Sequence, residues 1–236
     1  MLKAAVERVG LRRAAAVIAT TEALRARAAG VAREVHLVPN GVDTRHFAPP
    51  PGPRVPGRPA RVLYVGRFSA EKNLETVVAA VATVTRRMPV RLVLVGAGPL
   101  KARLHEQARA AGVDVEFPGV VPQERLPPLY TGADAFVLAS FTEGHPKVLM
   151  EAMAAGLPCV ASDCEGNRSL VTDGRTGLLF DPHRADELAD RLARVLTDLA
   201  LAEALGRAGR GLVVARYDLG VHVAVEIALL RRIAAV

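Results

Sequence analysis

The stretch RVLYVGRFSAEKNLETVVAAVATVTRRMPVRLVLVGAGP, from Arg61 to Pro99, decides the fold. RVLYVG is a short apolar run, rich in Val and Leu, that ends in glycine. NLETVVAAVATVTRR follows with a helical pattern, and RLVLVGAGP is a second apolar run closed by a glycine turn. Two such runs joined by a helix-length segment form a βαβ unit, whose strands are parallel and buried on both faces.

The pattern continues outward from this unit. LKARLHEQARAAG reads as a helix, and VDVEFPG, ADAFVLAS, LPCVASD and TGLLF read as four further strands. The expected fold is therefore α/β, a doubly wound, Rossmann-like parallel sheet over residues 61–214 with helices on both faces. Ligands of such sheets bind outside the carboxyl ends of the strands. Those ends are Gly66-Arg67, Gly96-Ala97-Gly98, Pro118-Gly119, Ser140 to His145 and Asp163 to Asn167. Residues 14–40 read as strand, helix, strand, and precede the proline-rich FAPPPGPRVPGRP, a semi-rigid connector. VHVAVEIALLRRIAAV is an apolar helix beyond the sheet. The expected division is a remnant of a second domain at 1–48, a linker at 49–60, the sheet domain, and a C-terminal helix at 215–236. That helix is expected to pack on the rest of the second domain, which the chain largely lacks.

Composition agrees with this architecture. Of 236 residues half are hydrophobic, Trp is absent and aromatics are few. Ala, Val and Leu must fill the interior, which suits helices on a buried sheet better than a β-sandwich. No stretch approaches the roughly 18 uncharged apolar residues of a membrane span. Glu7, Arg8, Arg12 and Arg13 interrupt the N-terminus, so no signal peptide is expected. Cys159 and Cys164 lack the spacing of metal ligands or of a disulfide framework, so the reading is a reducing cytoplasm and no metal site. The net charge of +7 invites a nucleic-acid partner. Scattered Arg without a basic run or interleaved aromatics argues against a specific one. A generally Arg-rich composition, or loose attraction to an anionic membrane surface, accounts for the charge equally well.

Three segments have residue types suited to chemistry. In GRFSAEKN, Gly66 allows close backbone approach, Arg67 leaves the strand toward the crevice, and Lys72 is expected in the first turn of the next helix. A cation there opposes the helix dipole unless an anion such as phosphate binds. The alternative is a solvated Lys72 beside Glu71 and Glu75. VGAGP gives Gly96 and Gly98 but lacks the later glycine of a dinucleotide fingerprint, so alone it says that backbone comes close to something. In TEGHPKVLMEAMAAGLP, Glu143 precedes a helix whose first position suits Pro146, and Glu151 sits inside it. Free N–H groups at that start can hold a phosphate, a carboxylate within the helix can bind a ribose diol, and one before it can reach a second hydroxylated ring. The alternative makes Glu143 a complement to the dipole and Glu151 an exposed helix residue.

GRFSAEKN, VGAGP, EGHPKVLMEAMAAGLPCVASD and GLLF resemble, in order and spacing, the donor-binding half of GT-B-fold glycosyltransferases, most of all the retaining family four. VIATTEALRARAAGVAREVHLVPNGVDTRHFAP resembles the end of that family's N-terminal domain and its link. The resemblance implies a nucleotide-sugar donor (UDP-, GDP- or ADP-sugar), transfer with retention and without a metal or cofactor, and a glycan, lipid or small-molecule acceptor. It implies that Arg67 and Lys72 hold the diphosphate, Glu143 contacts the donor sugar and Glu151 binds the ribose. Glu143, Arg67 and Lys72 are the residues expected to act in catalysis. Gly66, Gly96, Gly98, Gly144, His145, Lys147 and Val148 are expected to line the donor through backbone groups, with Gly119-Val120 against the base. The His145 imidazole is expected to be a neutral contact.

Three departures stand beside the resemblance. Pro146 occupies a position where many relatives have Gly, Ser169 in EGNRS replaces an acidic residue, and the acceptor-binding domain with its glycine-rich loop is almost wholly absent. The expectation is a cytoplasmic transferase, with peripheral contact at the inner face of the membrane, completed by an N-terminal domain or by self-association. The alternative is a nucleotide-sugar-binding module or inactive fragment. Asn167-Arg168-Ser169 matches a glycosylation sequon that a cytosolic protein does not use.

Overall fold

The computed structural model describes residues 2–49 and 58–234. The elements, in chain order, are α1 (Leu2–Arg13), β1 (Val17–Ala19), α2 (Glu22–Ala29), β2 (Val35–Leu37), β3 (Ala60–Val65), α3 (Leu74–Thr85), β4 (Val90–Val95), α4 (Lys101–Ala110), β5 (Asp114–Gly119) and α5 (Pro127–Thr131). They continue with β6 (Ala135–Leu138), α6 (Lys147–Ala154), β7 (Cys159–Ser162), α7 (Glu165–Arg168), β8 (Leu178–Phe180), α8 (Ala185–Thr197), α9 (Leu199–Arg216) and α10 (Leu219–Ala234).

The main sheet has six parallel strands in the order β5-β4-β3-β6-β7-β8. β3 pairs with β4 from Ala60↔Val90 to Val65↔Val95, and on its other edge with β6 at Val62↔Ala135 and Leu63↔Phe136. Connections run toward β5 before this point and toward β8 after it. The carboxyl ends of β3 and β6 therefore flank a crevice that no crossover covers. α3 packs against α4 and α8 on one face, and α6 against α9 on the other. Continuous burial of Val62, Leu63, Tyr64 and of Ala135 to Leu138 follows from this double cover, which is why these strands lack polar alternation.

The loops after β3 and β4 meet backbone to backbone. Phe68 N–H donates to the Ala97 carbonyl at 2.8 Å, and Gly66 N–H to the Val95 carbonyl at 2.9 Å. A Cβ on Gly96 would fall 1.9 Å from the Gly66 carbonyl oxygen, and one on Gly98 would fall 2.4 Å from that of Phe68. What VGAGP approaches is thus the neighbouring loop, and both glycines have a packing reason within the fold.

β1 and β2 form a separate parallel pair. The C-terminal segment returns to this N-terminal region. Leu219 N–H donates to the Val42 carbonyl, Thr44 Oγ1 donates to Asp218 Oδ2 at 2.6 Å, and Arg232 of α10 bonds Glu34. The linker expected at 49–60 lies mostly outside the described residues.

Gly96→Ala adds a methyl where backbone already stands, at a φ of +133°. Strain and overpacking together predict a loss of about 3 kcal/mol. Chemical denaturation measures it, and a variant within about 0.5 kcal/mol of the parent would show that the loops are not held at this distance.

Candidate functional site

The crevice at the β3–β6 reversal is a groove of about 410 Å3 lined by Gly66, Arg67, Lys72, Glu143, His145 and Lys147, among others. Small-molecule sites span roughly 300–1,000 Å3. Gly144 and Val148 also line it.

Lys72 does not begin α3. It ends a 3-10 turn over Ala70–Lys72, and Asn73 follows at φ 53° before the helix starts. Asn73 is held there because its amide donates to the Pro182 carbonyl at 2.7 Å and to that of Ala139 at 3.3 Å. The turn aims Lys72 across the crevice, where Nζ meets Glu143 Oε1 at 2.8 Å with both side chains largely buried. Neither sequence alternative described this: Lys72 is not solvated beside Glu71 and Glu75, and its charge is balanced by Glu143. Arg67, by contrast, has a 77% exposed side chain and an i,i+4 pair to Glu71 at 2.9 Å. Such surface pairs contribute little, so its guanidinium is free to turn to a ligand.

Glu143 is fixed from behind as well. Ser140 Oγ donates to Glu143 Oε1 at 2.6 Å, Ser162 Oγ donates to the Ser140 carbonyl at 2.5 Å, and the Asn167 amide donates to Ser162 Oγ at 3.0 Å. The EGNRS turn presses on the same backbone, since a Cβ on Gly166 would lie 2.4 Å from the Glu143 carbonyl. Ser169 bonds its own turn, donating to the Gly166 carbonyl at 2.6 Å.

Pro146 is the N-cap of α6 and Lys147 its first residue, so the proline stands one position earlier than expected. This placement matters: the prolyl nitrogen lies outside the helix, and Leu149 and Met150 N–H groups close on the Pro146 carbonyl at 3.2 and 3.3 Å. The N–H groups of Lys147 and Val148 precede the helical ladder and can meet an anion. His145 is buried, its ring 5.1 Å from Tyr217 and its Nδ1 without a hydrogen-bond partner. Burial holds its pKa down to about 4, so the ring is neutral at pH 7. Its carbonyl accepts from the Asn40 amide at 2.9 Å, which brings the segment before the linker to the groove.

Glu151 is 6% exposed, not an exposed helix residue. Its Oε2 accepts from Tyr130 Oη at 2.7 Å, and burial raises its pKa above the ordinary carboxylate value. Glu151 lies beside the groove rather than in its lining, and Gly96, Gly98 and the 76% exposed Val120 are also outside the lining. The sequence reading placed Ser140 at a strand end without a role, and missed Asn40, Ser162 and the tyrosines. All three tyrosines of the chain serve this region: Tyr64 Oη donates to the Arg67 carbonyl at 2.9 Å, Tyr130 to Glu151, and Tyr217 packs on His145. Their scarcity is a signal, because a buried phenol must find an acceptor. Among the described residues no cluster of three or more His, Cys, Asp or Glu could hold a metal ion.

With this geometry in view, the comparisons with known proteins are specific. A family model described as glycosyl transferases group 1 matches residues 50–212. A GDP-mannose-dependent alpha-(1-6)-phosphatidylinositol monomannoside mannosyltransferase of Mycobacterium tuberculosis is 34% identical over 209 residues, 81% of this chain and 54% of its own length. A glycogen synthase of the same species is 34% identical, covering 78% of this chain and 45% of its own length. The chain spans about half the length of the curated relatives it matches. Among solved structures, the sucrose-phosphate synthase of Thermosynechococcus elongatus superposes with a TM-score of 0.87 at 31% identity, over 99% of this chain and 62% of that one. Anabaena HepE, solved in complex with UDP-glucose, gives 0.85 at 24% identity over 98% of this chain and 67% of its own, a likeness of fold.

Removing one partner of a buried pair strands the other. Lys72→Met is expected to cost about 2–3 kcal/mol, and Lys72→Met/Glu143→Gln to recover most of it. Denaturant titration of the four proteins in the cycle decides, and additive losses would mean the pair is not coupled.

Proposed function

This chain belongs to the group 1 glycosyl transferases, and from that premise we propose that it is the donor-binding half of a transferase acting on nucleotide-diphosphate sugars. The observation that carries the reading is convergence: Arg67, Lys72, Glu143 and the start of α6 line one groove at the point where strand order reverses.

The chemistry follows from charge. Breaking the bond between sugar and diphosphate leaves negative charge on the diphosphate, and fixed donors aimed at that charge lower the barrier. Arg67 swings from Glu71 to one phosphate. Lys72 has three N–H donors and gives one to Glu143, so it can bridge carboxylate and phosphate. The Lys147 and Val148 N–H groups and the positive end of α6 add donors whose orientation does not change during reaction. These cations supply the charge in a reading that requires no bound metal. Glu143, held by Lys72 and Ser140, contacts hydroxyl groups of the donor sugar, and Glu151 binds the ribose. Transfer retains configuration, as in family four, with a hexosyl group moved to a glycan, lipid or small-molecule acceptor.

Relatives differ in donor: one is named GDP-mannose-dependent and a structural neighbour is solved with UDP-glucose. The base is therefore open between UDP, GDP and ADP. No helix among the described residues is long and apolar enough to cross a membrane. A cytoplasmic site with peripheral contact at the inner membrane face agrees with the free, buried cysteines, with the net charge of +7, and with the lipid acceptor in the mannosyltransferase relative's name.

Calorimetric titration with UDP, GDP and ADP tests the reading. One nucleotide is expected to bind saturably, at least about tenfold more weakly to Glu151→Ala and Arg67→Ala, and unchanged by EDTA. No binding of any nucleotide to the folded chain would refute donor recognition. Binding without sugar transfer to any acceptor would favour the non-catalytic module.

A second expectation concerns the exposed apolar residues of α1 and α10. Val6 and Val9 of α1, with Val221, Val225 and Leu230 of α10, are exposed apolar residues. Such surface favours burial against the acceptor-binding domain or against a second copy. The isolated chain is expected to self-associate in light scattering at micromolar concentration and to bind a hydrophobic dye. A monomer that binds none would remove this expectation.

A further inference from the structure

Resting on the donor-binding reading above, we infer that Tyr130 is a positioning residue of the nucleotide site, whose hydroxyl orients the Glu151 carboxylate for the ribose. Tyr130 sits on α5, the helix between β5 and β6, and is fully buried. Its ring is wedged between Phe47, edge-on at 5.5 Å, and Phe136 at 5.8 Å. The phenol is thus held in one orientation, with Oη 2.7 Å from Glu151 Oε2 and 3.4 Å from the Val148 carbonyl. Val148 itself lines the groove. One short bond from a locked ring therefore fixes a carboxylate that would otherwise have several rotamers.

The surroundings make that bond consequential. Burial raises the pKa of Glu151, while Tyr130 from α5, Lys147 from α6 itself and His46 from the segment before the linker lower it. At the far end of α6, Arg210 of α9 bonds the Ala154 carbonyl, and on β7 the buried Cys159 faces Tyr130. Burial and the nearby carboxylate push the phenol's own pKa well up, so it remains a donor. A ribose diol donates best to an ionised carboxylate. Binding therefore weakens as pH falls through the raised pKa of Glu151. Without Tyr130's hydrogen bond that pKa rises further, and the weakening begins at higher pH.

Tyr130→Phe keeps the ring and removes only the hydroxyl. Binding of UDP, GDP and ADP is measured by calorimetry at steps from about pH 8 down through the ordinary carboxylate range, about pH 4, which brackets a raised Glu151 pKa. The parent, Tyr130→Phe, Glu151→Ala and the double variant are compared, with thermal melts showing that each is folded. The expected result is a loss of about tenfold in Tyr130→Phe, the size of one hydrogen bond to a charged group. Its onset should move to higher pH, and Tyr130→Phe should add nothing in the Glu151→Ala background. Titration of the nucleotide phosphate is common to all four proteins and cancels in the ratios. Equal losses in both backgrounds, or an unmoved onset, would overturn the inference while leaving the donor site standing. A parent chain that binds none of the three nucleotides would overturn the donor reading and this inference together.

Discussion

The pairing of β3 with β6 is the constraint on which the rest of this structure depends. It joins strands separated by two βαβ units, at Val62↔Ala135 and Leu63↔Phe136. Because the connections diverge on either side, the carboxyl ends of these two strands are left uncovered, and whatever follows each strand is delivered to the same crevice. Gly66 and Arg67 arrive from one side, and Glu143 to His145 from the other. Shift that pairing and the cationic loop loses its carboxylate, since Lys72 and Glu143 come together only through it.

The site is built in two layers of different stiffness. Glu143 and Glu151 are held by side chains with no exposure to spare: Ser140, Ser162 and Asn167 behind the first, Tyr130 behind the second. Arg67 stands at the rim in solvent. On the proposed reading, buried and hydrogen-bonded acceptors inside and an exposed cation outside suit a ligand with a hydroxylated part and a charged part. The hydroxyls need directional hydrogen bonds, whereas a diphosphate tolerates a cation approaching along several paths.

Much of the fold was legible in the residues. The apolar runs of β3, β4, β6 and β7 marked their strands because burial on both faces leaves no polar alternation to confuse them, whereas the edge strand β5 alternates Asp114, Val115, Glu116 and Phe117. Pro146 marked the start of α6 to within one position, for the local reason that proline cannot donate within a helix. The glycines of VGAGP were legible as close approach but not as approach to what. A missing Cβ reports that space is short, and here the neighbour is Gly66 and Phe68 backbone.

The sequence by itself determined the parallel sheet, the positions of the strand ends and the residue types gathered there, since each depends on local periodicity or on one residue's backbone freedom. Only the tertiary structure decided which of those residues are partners. Tyr130 meets Glu151 across 21 positions, Lys72 meets Glu143 across 71, and Asn40 reaches His145 across 105. Such pairings are set by strand order and by which helices share a face. Hydrogen bonds act over about 3 Å, so two residues that local pattern places merely near one crevice become a bonded pair only when the packed core fixes their separation.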